Sequence, residues 1–197
     1  MSTASSEGRP GSVRGGPRLI HLNGPSGIGK STVARLYADR HPGVLDLDTD
    51  HVVSLIGGWR DDFFATLPVA RRLAVAMAET HLRSGFSVVM PQLATHLKEV
   101  AGFEAAARAA GVPYVEIALT AAKPHAFDRY SSRSSDTGPA RDIDEIITRA
   151  GGLELVDRVH DHLAAYLRQR PKCTVVDTET LGVEQTYDAV VEILSGL

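Results

Sequence analysis

The residues Gly24-Pro25-Ser26-Gly27-Ile28-Gly29-Lys30-Ser31 fit the spacing G-x-x-x-x-G-K-[ST] at every fixed position. Glycines allow a backbone to turn successive N–H groups inward as an anion nest, which bulky side chains would prevent. A helix beginning at the end of such a loop adds the positive end of its dipole. Lys30 is placed to reach β- and γ-phosphates, and the Ser31 hydroxyl to ligate Mg²⁺. Gly24, Ser26, Gly27, Ile28, Gly29, Lys30, Ser31 and Thr32 are therefore candidate nucleotide-binding residues.

Downstream, Asp48-Thr49-Asp50-His51 places two acids two residues apart. Asp50 is a candidate general base, a carboxylate able to accept the proton of an attacking hydroxyl. The competing reading is a helix N-cap for the segment that follows. If a strand runs through this stretch, Asp46, Asp48 and Asp50 share one side, with Asp46 deepest and suited to a structural hydrogen bond. Arg129 and Arg133 lie four apart before the breaker-rich run Ser134–Pro139, and Arg141 lies just beyond it. Guanidinium forks match phosphate oxygens and offset charge that develops during transfer, which makes Arg129 and Arg133 candidates for catalysis. Plain surface arginines on a helix are the alternative. Trp59, Phe63 and Phe64 could line an acceptor pocket or belong to the core. Gln92 and His51 fall at strand ends, and with Arg141 they complete the candidate acceptor contacts. Neither zinc-ligand spacing nor a nucleophile elbow is present.

Strands must carry these groups to one edge. Short apolar runs predict strands at 18–23, 44–48, 86–90, 112–119 and 174–177. Helical spacing of apolar residues predicts helices from Ser31, over 68–84, 97–110, 123–133, 142–150 and 153–169, and one near the C-terminus. Pro68 is expected to start its helix, with Val69, Leu73 and Ala76 or Met77 on one face. Residues 52–66 read as irregular, and Val183, Tyr187, Val190 and Leu194 form one stripe on the last helix. Strands alternating with helices predict an α/β protein with a parallel sheet covered on both faces, ligands sitting at the carboxyl edge.

Composition narrows the classes. The chain has 197 residues, 43% of them hydrophobic and 23% charged, enough for one filled core. A net charge of −3 gives no basic field for nucleic acid or an anionic membrane. The single cysteine, Cys173, allows no internal disulfide and fits a cytoplasmic protein. No apolar run approaches spanning length, and residues 1–17, rich in Ser, Gly, Pro and Arg, read as a flexible tail ahead of one domain over 18–197.

Gly24–Ser31 followed closely by Asp48-x-Asp50 resembles the small-molecule kinases related to nucleoside monophosphate kinases, a group that includes shikimate kinase, gluconate kinase and chloramphenicol phosphotransferase. The strand-two acid, Val89-Met90-Pro91, and the helix before the breaker loop bring the chain closer to the tunicamycin-resistance ATP-binding proteins. The resemblance implies a three-layer P-loop fold, a five-stranded parallel sheet in order 2-3-1-4-5, a helical lid over about 129–145 and an acceptor region over about 51–84. It also implies transfer of the γ-phosphate of ATP or GTP to a hydroxyl of a small molecule, a nucleoside-type antibiotic fitting best. It implies Asp48 beside Ser31 and a Mg²⁺ ion, and Thr178 beside the nucleotide base. The sequence departs from the group at Pro91-Gln92, where many members carry a Gly-Gly pair or an acid. Arg71 and Arg72 lack the surrounding motif of nucleotide kinases, which argues against a nucleoside monophosphate acceptor. A sugar-acid or nucleoside kinase of primary metabolism is the alternative within the class. A drug-binding protein or switch that hydrolyses NTP without transfer is the alternative outside it. Oligomeric state stays open.

Overall fold

The computed structural model describes residues 16–122 and 139–197. Five parallel strands, β1 (Leu19–Asn23), β2 (Leu45–Asp46), β3 (Val88–Pro91), β4 (Tyr114–Thr120) and β5 (Thr174–Asp177), lie in the order β2-β3-β1-β4-β5. The helices are α1 (Lys30–Arg40), α2 (Thr49–Ser54), α3 (Phe63–Arg83), α4 (Leu97–Ala109), α5 (Pro139–Arg149), α6 (Gly152–Leu167) and α7 (Val183–Ser195). This is the α/β architecture and strand order that the kinase resemblance implies.

The central strand β1 is buried along its whole length, and its alternation separates two cores. Ile20 and Leu22 pack with Val33, Ala34 and Tyr37 of α1 and with Tyr187, Val190 and Leu194 of α7. Leu19 belongs to the opposite core, which contains α2 and α3 residues, Phe103 and Ala107 of α4, and Ile143 of α5. A strand covered on both faces must be apolar almost throughout, and β1 departs from this only at His21 and Asn23. Both turn out to serve the site.

Several local expectations are corrected. Strand β2 contains only Leu45 and Asp46, although Leu47 N–H still donates to the Val89 carbonyl at 2.8 Å. The chain then turns at Asp48, whose extended backbone caps α2, so the period-two argument that placed Asp46, Asp48 and Asp50 on one side fails past Asp48. Asp46 finds no structural hydrogen bond at Oδ1, which is buried without a partner. Residues 52–66 are not irregular throughout, because α2 and the first turn of α3 occupy part of them.

Helix α3 starts at Phe63, not at Pro68. The Asp62 carboxylate accepts from Ala65 N–H at 3.1 Å, and Thr66 Oγ1 donates to the Asp62 carbonyl at 2.7 Å. That cap nucleates the helix upstream, and Pro68 is carried inside it at the loss of one hydrogen bond. The face that carries Val69, Leu73 and Met77 is not the buried one. Ala70, Ala74 and Ala78 are fully buried, whereas Val69, Leu73 and Met77 are 39%, 46% and 40% exposed. Small side chains let α3 lie close against its neighbours. On α4, a Cβ added to Gly102 would sit 3.0 Å from Val75 Cγ2. Close backbone approach thus decides the face over side-chain size. On α7, Val183 likewise falls outside the buried stripe, which is Thr186, Tyr187, Val190 and Leu194.

Candidate active site

The carboxyl ends of β1 and β3 open onto a cleft of about 400 Å³. Its floor is the loop between β1 and α1. Gly24, at φ 143°, opens the loop, and a Cβ there would meet the Leu119 carbonyl oxygen at 2.4 Å, so only glycine fits. Gly29, at φ 100°, closes the loop and caps α1, and a Cβ there would meet nothing within 4 Å. Its constraint is therefore conformational, with open space in front of the backbone. The first N–H groups of α1 follow at once, and a helix start leaves such groups without intrahelical partners. Lys30 is 8% exposed, and its Nζ donates to the Pro25 carbonyl at 2.8 Å, folded across the loop.

Ser31 Oγ donates to Asp48 Oδ2 at 2.9 Å, while Asp48 Oδ1 accepts from Asp50 N–H at 3.0 Å. One carboxylate thus joins the loop helix α1 to the first turn of α2. Asp48, and not Asp50, is the cap of α2. Asp50 sits on that first turn, exposed, and lines the same cleft as Gly29, Lys30 and Ser31. Thr49 points inward, and its hydroxyl donates to Gln92 Oε1 at 2.7 Å.

Of the other expected residues, Ser26, Gly27, Thr32, Phe63 and Gln92 line the cleft with them. Gly24 and Ile28 are buried behind the loop, where Ile28 packs in the α1–α7 core. Trp59 is 3% exposed within the α2–α3 core, its ring carrying the Arg60 guanidinium at 4.5 Å from the centroid. His51 is exposed on α2 away from the cleft lining. Arg141 Nε donates to Glu145 at 3.3 Å on the surface of α5. Thr178 is buried, its N–H and hydroxyl donating to the Thr120 carbonyl at 2.8 and 3.0 Å, which ties the end of β5 to the end of β4. Arg129 and Arg133 lie outside the described residues. Among the described residues, no group of three or more His, Cys, Asp or Glu side chains could hold a metal by itself. Ser31 and Asp48 nevertheless offer hard oxygens at hydrogen-bond distance, the donor set that suits Mg²⁺, which keeps several of its waters.

The sequence reading missed a polar network beneath the floor. Asn23 is fully buried at the end of β1. Its Oδ1 accepts from Gly24 N–H at 2.8 Å and from Ala94 N–H at 3.0 Å, and its Nδ2 donates to Ala94 O at 3.1 Å and to Glu116 Oε1 at 3.0 Å. Glu116 also accepts from the Tyr166 hydroxyl at 2.8 Å and from Arg170 Nε at 2.7 Å. His21 completes the network. The Gln92 carbonyl, 2.7 Å from Nε2, can only accept, so Nε2 carries the proton and Nδ1 accepts from the Tyr114 hydroxyl at 2.7 Å. Burial, opposed by Glu116, lowers the His21 pKa and keeps the ring neutral. Burial and the Glu116 charge together raise the Tyr166 hydroxyl. The network holds the start of the phosphate loop and the β3–α4 connection in fixed register. Its signal in the sequence was two polar residues in an otherwise apolar strand.

The outer wall of the cleft was also missed in part. Phe63, Phe64 and Leu67 of α3 face Ile143 and Ile147 of α5 and Leu155 and Val159 of α6 across it, and Arg71 completes the α3 side. Apolar pairs four apart, 143 with 147 and 155 with 159, were the available signal.

Comparison with known proteins places this geometry. Residues 19–151 match the family described as AAA domain, and the chain belongs to that family. No curated protein matches it. Among solved structures it is similar to the tunicamycin resistance protein of Deinococcus radiodurans, with 18% identity, a TM-score of 0.60 and 90% of this chain covering 95% of that one. A kinase candidate from Chloroflexus aurantiacus gives 21% identity and a TM-score of 0.63, over 91% of this chain and 97% of that one. A gluconokinase from Sinorhizobium meliloti gives 18% and 0.60, over 95% and 94%. The shared feature is the P-loop kinase-like fold.

Proposed function

We propose, from that family membership and the cleft geometry, a Mg²⁺-dependent phosphotransferase that moves the γ-phosphate of ATP or GTP to a hydroxyl of a small molecule, with a nucleoside-type antibiotic as the acceptor class. One observation carries the reading. Asp50 lines the same cleft as Lys30 and Ser31, on the helix turn that Asp48 caps while also binding Ser31.

The residues divide the work. The loop N–H groups from Gly27 to Thr32 and Lys30 hold the polyphosphate, with Lys30 exchanging the Pro25 carbonyl for phosphate oxygen. Ser31 and Asp48 would hold Mg²⁺, which when bound neutralises charge on the β- and γ-oxygens. Asp50 accepts the acceptor's hydroxyl proton as its oxygen bonds to the γ-phosphorus. The bond from that phosphorus to the β–γ bridging oxygen breaks, and the nucleoside diphosphate leaves. Arg129 and Arg133, from a lid over about 129–145, would offset charge in the transferring group, and replacing Arg133 by Ala should lower turnover more than nucleotide affinity. The acceptor would enter over residues 51–84, with Gln92 orienting it.

The likeness to a gluconokinase favours a second reading, transfer to a sugar acid. Mass spectrometry of nucleoside antibiotics and sugar acids after incubation with NTP separates the readings. A gain of one phosphate on a nucleoside supports the first, and a gain on gluconate supports the second. NTP loss with every acceptor unmodified would overturn both in favour of a hydrolytic switch.

A further inference from the structure

Resting on that kinase reading, we infer that the acceptor is an uncharged molecule whose hydroxyl is borne on a bulky alkyl or aryl body, and not an anionic polyol. The outer half of the cleft supplies apolar surface from three separate helices. Phe64 and Leu67 come from α3, Ile143 and Ile147 from α5, and Leu155 and Val159 from α6. Phe64 is 56% exposed although it stands edge-on to Phe63 at 5.4 Å between ring centroids. Exposed aromatic surface on a cleft wall gains most when an apolar ligand covers it.

The charges agree. Among the described residues lining the cleft, the cations are Lys30, placed for the nucleotide, and Arg71. The Arg71 guanidinium is paired with Glu99 at 3.1 Å, which cancels the attraction it would exert on a second carboxylate or phosphate. Asp48 and Asp50 line the same space, so the carboxylates there outnumber the cation left after Arg71 pairs with Glu99, among the described residues. The donors that remain suit neutral oxygens. Gln92 is 8% exposed and has its Oε1 committed to Thr49, so its amide N–H groups are what it can offer to the cleft. A sugar acid would leave the apolar side chains wet and bring its carboxylate to a wall where, among the described residues, the cation outside the phosphate loop is already paired with Glu99.

The test uses the full chain, radiolabelled ATP and GTP, and N4-acylcytidines from acetyl to octanoyl, with cytidine 5′-monophosphate and gluconate as anionic competitors. Each added methylene should raise kcat/KM about fourfold until the wall is filled. Phe64→Ser, a change at an exposed position, should flatten that chain-length slope while the thermal midpoint stays in place. Leu155→Ser should flatten it as well. Preferred transfer to gluconate or to the monophosphate would overturn the inference while leaving the kinase reading intact, and so would transfer that ignores chain length. If nothing is labelled, calorimetric binding of the same series decides. Affinity that climbs with chain length upholds the apolar wall and removes only the transfer reading. Affinity that does not climb overturns the wall.

Discussion

At the phosphate end of the cleft, one unbroken run of residues supplies almost everything: loop backbone, lysine and hydroxyl all lie between Gly24 and Ser31. At the apolar end, side chains arrive from α3, α5 and α6. The first end is a contiguous segment whose amides work with one lysine and one hydroxyl. Its ligand is a polyanion that main-chain amides can recognise whatever the neighbouring side chains are. The second is a side-chain device, and it exists only after the helices have packed. On the proposed kinase reading, the contrast makes phosphate binding and acceptor choice separable, because one contiguous loop supplies the first and three distant helices the second.

Substitutions can break or sharpen that contrast. The largest effect is expected from Lys30→Ala, which should lower kcat/KM about a thousandfold for every acceptor alike, read in a coupled assay for nucleoside diphosphate. An acceptor-dependent loss would mean the two ends are not separable. Gly24→Ala comes next. The Cβ clash with the Leu119 carbonyl and the positive φ should cost about 3 kcal/mol. By calorimetry that is a fall in melting temperature of about 6–12 °C. Asp50→Asn should lower turnover about a hundredfold while the helix content read by circular dichroism is kept, since Asp48 and not Asp50 caps α2. Near-full turnover would remove Asp50 as the base.

The smallest effect concerns Asp46, which lies behind the acid pair and outside the cleft lining. Burial, reinforced by the Asp48 charge, lifts its carboxyl from 3.8 to about 6. A raised value means that the folded chain holds this proton more tightly than the unfolded chain. The contribution is therefore full below pH 3.8 and is lost as pH rises through about 6. Asp46→Asn should flatten that decline and stabilise the protein at pH 7 by about 1 kcal/mol after solvent screening, measured by urea unfolding across the range.

The parts of the molecule that depend on neighbours in sequence were legible before the structure. The loop, α1, β5 and the alternation of strands and helices follow from local spacing and glycine chemistry. The strand order came from the resemblance. Misreadings arose where local signals competed. The Asp62 cap and Pro68 both mark helix starts, and the earlier one prevails because the added turn gains a cap and also packs Phe63 and Leu67 in the core, which together offset the hydrogen bond lost at Pro68. Size is no guide on α3, since Val69, Leu73 and Met77 are better hydrophobes than the alanines that are actually buried. The Asn23–Glu116–Tyr166–Arg170 network and the apolar wall were hidden because their parts are far apart in the chain: helical spacing marks the pairs 143/147 and 155/159, but nothing in the sequence sets them opposite α3.

The alanine seam of α3 has an evolutionary consequence. Ala70, Ala74 and Ala78 have no exposed surface, so any enlargement there forces the helix off its bed. Phe64, on the same helix but facing outward, carries no such penalty. A lineage exploring new acceptors can therefore repaint one side of α3 freely while the other stays frozen, and diversity among descendants should accumulate in that asymmetric way.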